Sequence, residues 1–184
     1  MRKNLIIYLL LLLFIFGCSP YGTIYGVAVD ERKATTIASD KRITAAIEKA
    51  FLEDGTIKVL DISPYCYDGN VYLVGEYDNM VQKERAEKLA NNVEGVKSVQ
   101  TYLLSKKKGD SCGAAENVAI TAKVNAELVA DKDIRSTNID VKVVQCNVVL
   151  LGIVRSDDEI AKATAHAKSV GGVRNVRSFL MSTH

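Results

Sequence analysis

The chain is poor in the residues that most chemistry needs. Its 184 residues include two histidines and no tryptophan. His166 falls on a predicted helix face and His184 is the last residue. No HxxxH, HExxH or CxxC spacing occurs, which excludes the usual zinc and thiol-redox motifs. There is no nucleophile elbow and no glycine-rich phosphate loop. The acidic run Asp157-Asp158-Glu159 opens a predicted helix, where acids stabilise the dipole, so its reading is structural. The sequence reads as a non-enzyme, with no metal and no cofactor.

Long apolar runs are missing too. The longest apolar stretch, Leu5 to Phe16, is interrupted by Tyr8. At about 12 residues it falls short of the roughly 20 a spanning helix needs. Arg2 and Lys3 precede it and Gly17 follows, the layout of a secretory signal over residues 1–17. Ile15-Phe16-Gly17-Cys18 resembles the bacterial lipobox, which implies a mature chain acylated at Cys18 and stably anchored by its acyl chains. Ser19 then favours an outer-membrane address. The leader carries two of the 24 basic residues and no acid, leaving 22 bases against 22 acids. That balance leaves no broad basic face for nucleic acid. The local run Lys106-Lys107-Lys108 reads as a solvated tether.

What the chain has is a repeat. At a shift of 77 positions, 17 of the 62 pairs from residue 43 to residue 104 are identical without a gap. Ile43-Thr44-Ala45 meets Ile120-Thr121-Ala122, Asn70-Val71 meets Asn147-Val148, and Gly95-Val96 meets Gly172-Val173. The organisation that follows is a signal peptide (1–17), a lipid-attached tether (18–38), a first module (39–104), a linker (105–113) and a second module (114–182). Units this small bury little core alone, so they are expected to pack on each other.

Each module reads as αββαβ. Ile43, Ile47 and Phe51, or Ile120, Val124 and Leu128, recur every four residues, a helix stripe that ends at Asp54 or Asp131. Asn138 to Val143 alternates as a strand, and Asn147 to Val154 is the continuous apolar run of a central strand. Gln145-Cys146, or Tyr67 to Asn70, makes the turn between the two strands. Gly75 and Gly152 mark a bulge or a close backbone approach. Asp78-Asn79 and Ser156-Asp157 cap a second helix whose inner face is Ala86, Ala90 and Val93, or Ala163, Ala167 and Val170. Gly95 and Gly172 stop it, and a last strand runs Val96–Leu104 or Val173–Met181. The fold class is α+β: two tandem modules, each a three-stranded mixed sheet with two helices on one face. The other sheet face would be covered by stacking the modules.

This order, the apolar strand reaching Gly75 or Gly152, and the helix-Val-x-Gly-Val-x-x-Val ending resemble the BON (bacterial OsmY and nodulation) domain in both copies. With the lipobox in front, the whole resembles dual-BON outer-membrane lipoproteins. The resemblance implies a periplasmic, non-enzymatic module that meets anionic phospholipid membranes and supports envelope integrity. An alternative is a scaffold for envelope assembly proteins or peptidoglycan, with the lipid acting only as an address. The resemblance points to the second module for membrane contact. There Val118, Ala122 and Val129 form a second apolar line on the first helix, with Lys123, Lys132 and Arg135 nearby to meet anionic headgroups. Packing against the first module is the competing use of that line.

Three cysteines remain beyond Cys18, and an oxidising compartment favours a bridge. Helix and returning strand have similar rise, which brings Cys146 near the helix start just after Cys112. A Cys112–Cys146 bridge is expected, with Cys66 free; Cys66 with Cys112 is the rival pairing. Tyr65 and Tyr67 share one side of a strand and are expected at an inter-module surface.

Overall fold

In the computed structural model each copy of the repeat folds as helix, hairpin, helix and strand. Residues 32–58 and 61–183 are described. The signal peptide, Cys18 and the tether as far as residue 31 lie outside them. The first module comprises α1 (Ala34–Asp54), β1 (Ile62–Tyr67), β2 (Asn70–Tyr77), α2 (Met80–Asn91) and β3 (Ser98–Ser105). The second comprises α3 (Ala114–Ala130), a 3₁₀ turn (Ser136–Asn138), β4 (Ile139–Val144), β5 (Asn147–Val154), α4 (Asp157–Ser169) and β6 (Asn175–Ser182). No described helix is long and apolar enough to cross a membrane.

Several boundaries differ from the sequence reading. Helix α1 opens at Ala34, so residues 34–38 of the expected tether are helical; Ile37 extends the buried stripe by a turn. Asn138 sits in the 3₁₀ turn and β4 starts one residue later. The last strands start at Ser98 and Asn175, because the N–H of Val96 or Val173 is held by a tight turn to the carbonyl of Val93 or Val170. Ser105, expected in the linker, closes β3.

The elements follow from the residues. The buried sides of α1 and α3 are Ile43, Ile47, Phe51 and Ile120, Val124, Leu128. Gly55 (φ 70°) ends α1 by returning its N–H to the Phe51 carbonyl. The Asn79 and Ser156 side chains cap α2 and α4 by accepting from the N–H of Gln82 and Glu159. Each hairpin closes on two residues in the left-handed region: Asp68 and Gly69 in one module, Gln145 and Cys146 in the other.

In each sheet the central strand pairs antiparallel with the hairpin strand before it and parallel with the strand after the crossover helix, in the orders β1-β2-β3 and β4-β5-β6. Two glycines let the chain enter its first strand. A Cβ on Gly75 would collide with the Asp61 carbonyl, and one on Gly152 with that of Asn138. Both also have positive φ, 151° and 141°, which side chains rarely adopt.

Each sheet covers its helices on one face and meets the other sheet on the second. Tyr67, Tyr72, Val74, Val144, Val149, Leu151 and Phe179 form this third core between the modules. The Tyr72 and Phe179 rings lie 5.0 Å apart. Polar contacts rim it: Tyr67 Oη donates to Asp140 (2.5 Å), and Gln145 Nε2 donates to Glu76 Oε1 (2.7 Å) and the Ser105 carbonyl (2.8 Å). Tyr65 also lies at this seam, beneath Lys142.

Candidate functional site

Helix α3 turns Ile120, Val124 and Leu128 inward and leaves its second apolar line in solvent. Val118 and Val129 are each 70% exposed, and Ala122 between them is exposed. The line therefore does not pack against the first module. It spans three helical turns, about 16 Å.

The repeat shows which part of this surface is particular to the second module. At the positions of the line, α1 has Lys41, Ala45 and Leu52 (68% exposed) where α3 has Val118, Ala122 and Val129; off the line, Arg42, Lys49 and Glu53 face Ala119, Ala126 and Ala130. The alanines are explained by helix propensity alone. The valines are not: they are β-branched, poor helix formers, and exposed.

Basic groups border the line. Lys123 is exposed on α3, and Lys132 and Arg135 are exposed in the segment that follows. The Arg135 backbone is held by its N–H bond to Glu159 Oε1 (2.6 Å). Acids at this end are engaged by α4. Asp131 lies 2.9 Å from His166 Nε2, Glu127 lies 3.7 Å from its Nδ1, and Asp133 lies 2.6 Å from Lys162 Nζ. The hydrogen bond from His166, with that from the Asp133 N–H, holds the Asp131 carboxyl below the usual carboxylate range. Apolar side chains flanked by cations suit an anionic lipid surface.

A different recess, of about 380 Å³, lies between α1 and β1 and reaches Asp140. Its buried polar groups centre on one carboxylate. Buried Asp40 accepts from the N–H groups of Asp68 (2.8 Å) and Gly69 (2.9 Å), from Arg32 (2.5 Å), and from the Cys66 thiol (3.3 Å). In the second module Asn117 takes the same post and accepts from the Cys146 N–H (2.9 Å). This node ties each hairpin to the helix beside it. The sequence reading missed it, although Asp40 and Asn117 fall opposite each other in the repeat.

Cys112 and Cys146 are joined as a disulfide, with their Cα atoms 5.5 Å apart. Arg174 clasps Asp110 through two bonds, 2.8 and 2.7 Å, so the linker is held at both ends of its last turn. Lys106 is not a solvated tether residue: its Nζ lies 2.5 Å from Asp61 and 3.1 Å from Asp78. Cys66 is a buried thiol. Burial, together with its bond to Asp40, pushes it up to about 12.

The acidic run is spent on structure. Glu159 accepts the N–H groups of Arg135 and Arg155, Asp158 pairs with Lys162 at 3.2 Å, and Asp157 accepts from Ser182. The sequence reading also passed over Met80 and Val81, which are 51% and 73% exposed on α2.

The BON domain family matches the chain over residues 39–105 and again over 117–180. Osmotically-inducible protein Y of Escherichia coli (strain K12) is 33% identical over 150 residues, covering 80% of this chain and 75% of that protein. Outer membrane lipoprotein DolP of Haemophilus influenzae is 31% identical over 153 residues, covering 82% and 78%. The 21 kDa hemolysin of Actinobacillus pleuropneumoniae is 26% identical over 152 residues, covering 80% and 76%.

Proposed function

Since this chain belongs to the BON domain family and carries two BON domains, we propose that it is a phospholipid-binding adaptor of the bacterial envelope, anchored through Cys18. Its role is to help maintain the outer-membrane barrier. Similarity to a protein described as an outer membrane lipoprotein supports the address. The observation that carries the binding reading is the exposed line Val118–Ala122–Val129 with Lys123, Lys132 and Arg135 beside it. The repeat adds direction at one position: Val118 replaces Lys41, which leaves the line of the second module without a charge, whereas Ala122 and Val129 match Ala45 and the exposed Leu52 of α1.

The test is flotation of the non-acylated chain from residue 19 with vesicles of defined charge. Binding that needs anionic lipid, weakens with salt and falls about tenfold in Val129→Asp supports the reading. No binding at any composition overturns it in favour of a protein-binding or peptidoglycan-binding scaffold. Radiolabelled palmitate incorporation that disappears in Cys18→Ser tests the anchor.

A further inference from the structure

We infer that the end of the first module holding Met80 and Val81 is a second membrane contact, set beside the N-terminal end of α3. The inference rests on the reading of α3 as the lipid-facing helix.

The start of α2 differs from that of α4. The first turn of a helix favours acids, because they offset the positive end of its dipole. Helix α4 obeys, with Asp157, Asp158 and Glu159 there. Helix α2 has no acid in that turn. Opposite Asp157 and Asp158 in the repeat it carries Met80 and Val81, 51% and 73% exposed. The fold does not require them, and where a sequence breaks a local rule without structural gain a function is the usual reason.

Cations gather at the same end. Lys58 and Lys106 both reach Asp78, at 3.3 and 3.1 Å, two residues before Met80. Lys83 lies one turn into α2 and is 4.0 Å from Glu87. Lys107 and Lys108 continue from β3 and are exposed, so five lysines at this end face four acids, Asp61, Asp78, Glu84 and Glu87.

The two contacts are mechanically linked. Gln145, in the β4-β5 turn, bonds Glu76 and Ser105 at the ends of β2 and β3. The next residue, Cys146, is bridged to Cys112, which directly precedes Gly113, the N-cap of α3. Met80 and Val81 therefore sit at the end of the molecule where α3 starts and Val118 is exposed.

The size of the patch selects its occupant. Two apolar side chains fall far short of the roughly 800 Å² per partner of a stable protein interface. They suffice for a membrane contact, where excess lysines meet anionic headgroups and the neighbouring contact on α3 raises the effective concentration.

The protein has no tryptophan, so Val81→Trp, Val129→Trp and Glu94→Trp each provide one reporter: the new contact, α3, and the far end of the first module. Mixed phosphatidylethanolamine–phosphatidylglycerol vesicles should blue-shift the first two, brominated acyl chains should quench them, and the third should not respond. Met80→Asp with Val81→Asp copies the second module's own residues, so folding should hold. It should lower vesicle affinity about tenfold while Val129→Trp still responds. Response at Val129 but none at Val81, or an aspartate pair that binds like the parent, overturns this inference and leaves the α3 reading standing. Response at Val81 alone replaces two contacts with one and overturns the α3 reading. Silence at both overturns both.

Discussion

The ammonium of Lys142 lies 5.0 Å from the centre of the Tyr65 ring, and the two residues are the same position of the repeat. Equivalent residues touch near the axis that relates the two copies, and the reciprocal contacts of Tyr67 with Asp140 and of Gln145 with Glu76 make that relation close to two-fold. The two modules therefore pack as an isologous pair, a dimer interface built into one chain. Antiparallel stacking follows: the hairpin end of the second module meets the ends of β2 and β3, while Tyr67 beside the first hairpin reaches Asp140 at the start of β4.

The seam should depend on its apolar centre more than on this pair. Lys142→Ala is expected to cost about 1 kcal/mol or less, the size of a partly exposed cation–π contact. Tyr72→Ala, which removes a buried ring packed on Phe179, should cost roughly 3–5 kcal/mol. Urea denaturation of both variants would check the order; equal effects would mean the seam is not an apolar core.

Asp40 offers a contrast between removal and replacement. Asp40→Ala leaves the Asp68 and Gly69 N–H groups without their acceptor and removes one partner of Arg32, and should cost roughly 3 kcal/mol. Asp40→Asn reproduces the arrangement at Asn117 and should cost about 1 kcal/mol. Chemical denaturation that ranks the two alike would refute the role assigned to the node.

Glycine is needed at both strand entries. Gly75→Ala and Gly152→Ala each drive a Cβ into a backbone carbonyl at positive φ, with no flexible side chain to yield. Each should lose roughly 2–4 kcal/mol, read as a lower thermal midpoint. Gly109→Ala has open space around it and meets only the φ penalty, so it should lose less.

The disulfide closes a loop with a sequence separation of 34. Chain-entropy reasoning makes its stabilisation roughly 3–4 kcal/mol at most. Cys146 turns at φ 58°, where the first module has Gly69. With Cys112→Ser in place, Cys146→Gly should therefore be more stable than Cys146→Ser, by up to about 1 kcal/mol. The reverse order in urea would remove the strain argument.

Acid and base should act on different groups. Asp54, Asp110 and Asp131 are held low, first by bonds from Thr56, Arg174 and His166 respectively. Their folded forms favour the charge, so the contribution is full above the ordinary carboxylate range and fades as pH falls below about 4. Their partners Arg85, Arg174 and His166 are partly open to solvent, so added salt should flatten this slope. Cys66 works in the opposite direction. Its thiol is pushed up to about 12, so the unfolded chain ionises first and stability should fall as pH rises past about 9. Iodoacetamide at pH 8 should leave Cys66 unmodified until the protein unfolds.

Much of the fold was legible because burial imposes a period. Ile43-Ile47-Phe51 and Ile120-Val124-Leu128 announced their helices, and two glycines at one register announced a backbone crossing. The start of α1 was not legible, since no side chain caps it and Ala34 to Ala38 read like tether. The exposed line on α3 was visible as a stripe, yet a stripe does not say whether water or a neighbour faces it. Asp40 was invisible for another reason: a helix acid shows no sign of burial until the hairpin that needs it is placed. Met80 and Val81 were seen only when the two copies were compared.

The shared core between the sheets also imposes an order of events. Val149 and Leu151 are wholly buried, and Tyr72 and Val74 nearly so, against residues from the other half of the chain. A chain made from its N-terminus completes the first module while the second is still missing. That module waits with a bare aromatic face, exposed to any other unfinished chain. Until residue 182 has emerged, its best partner is a neighbour's second module rather than its own.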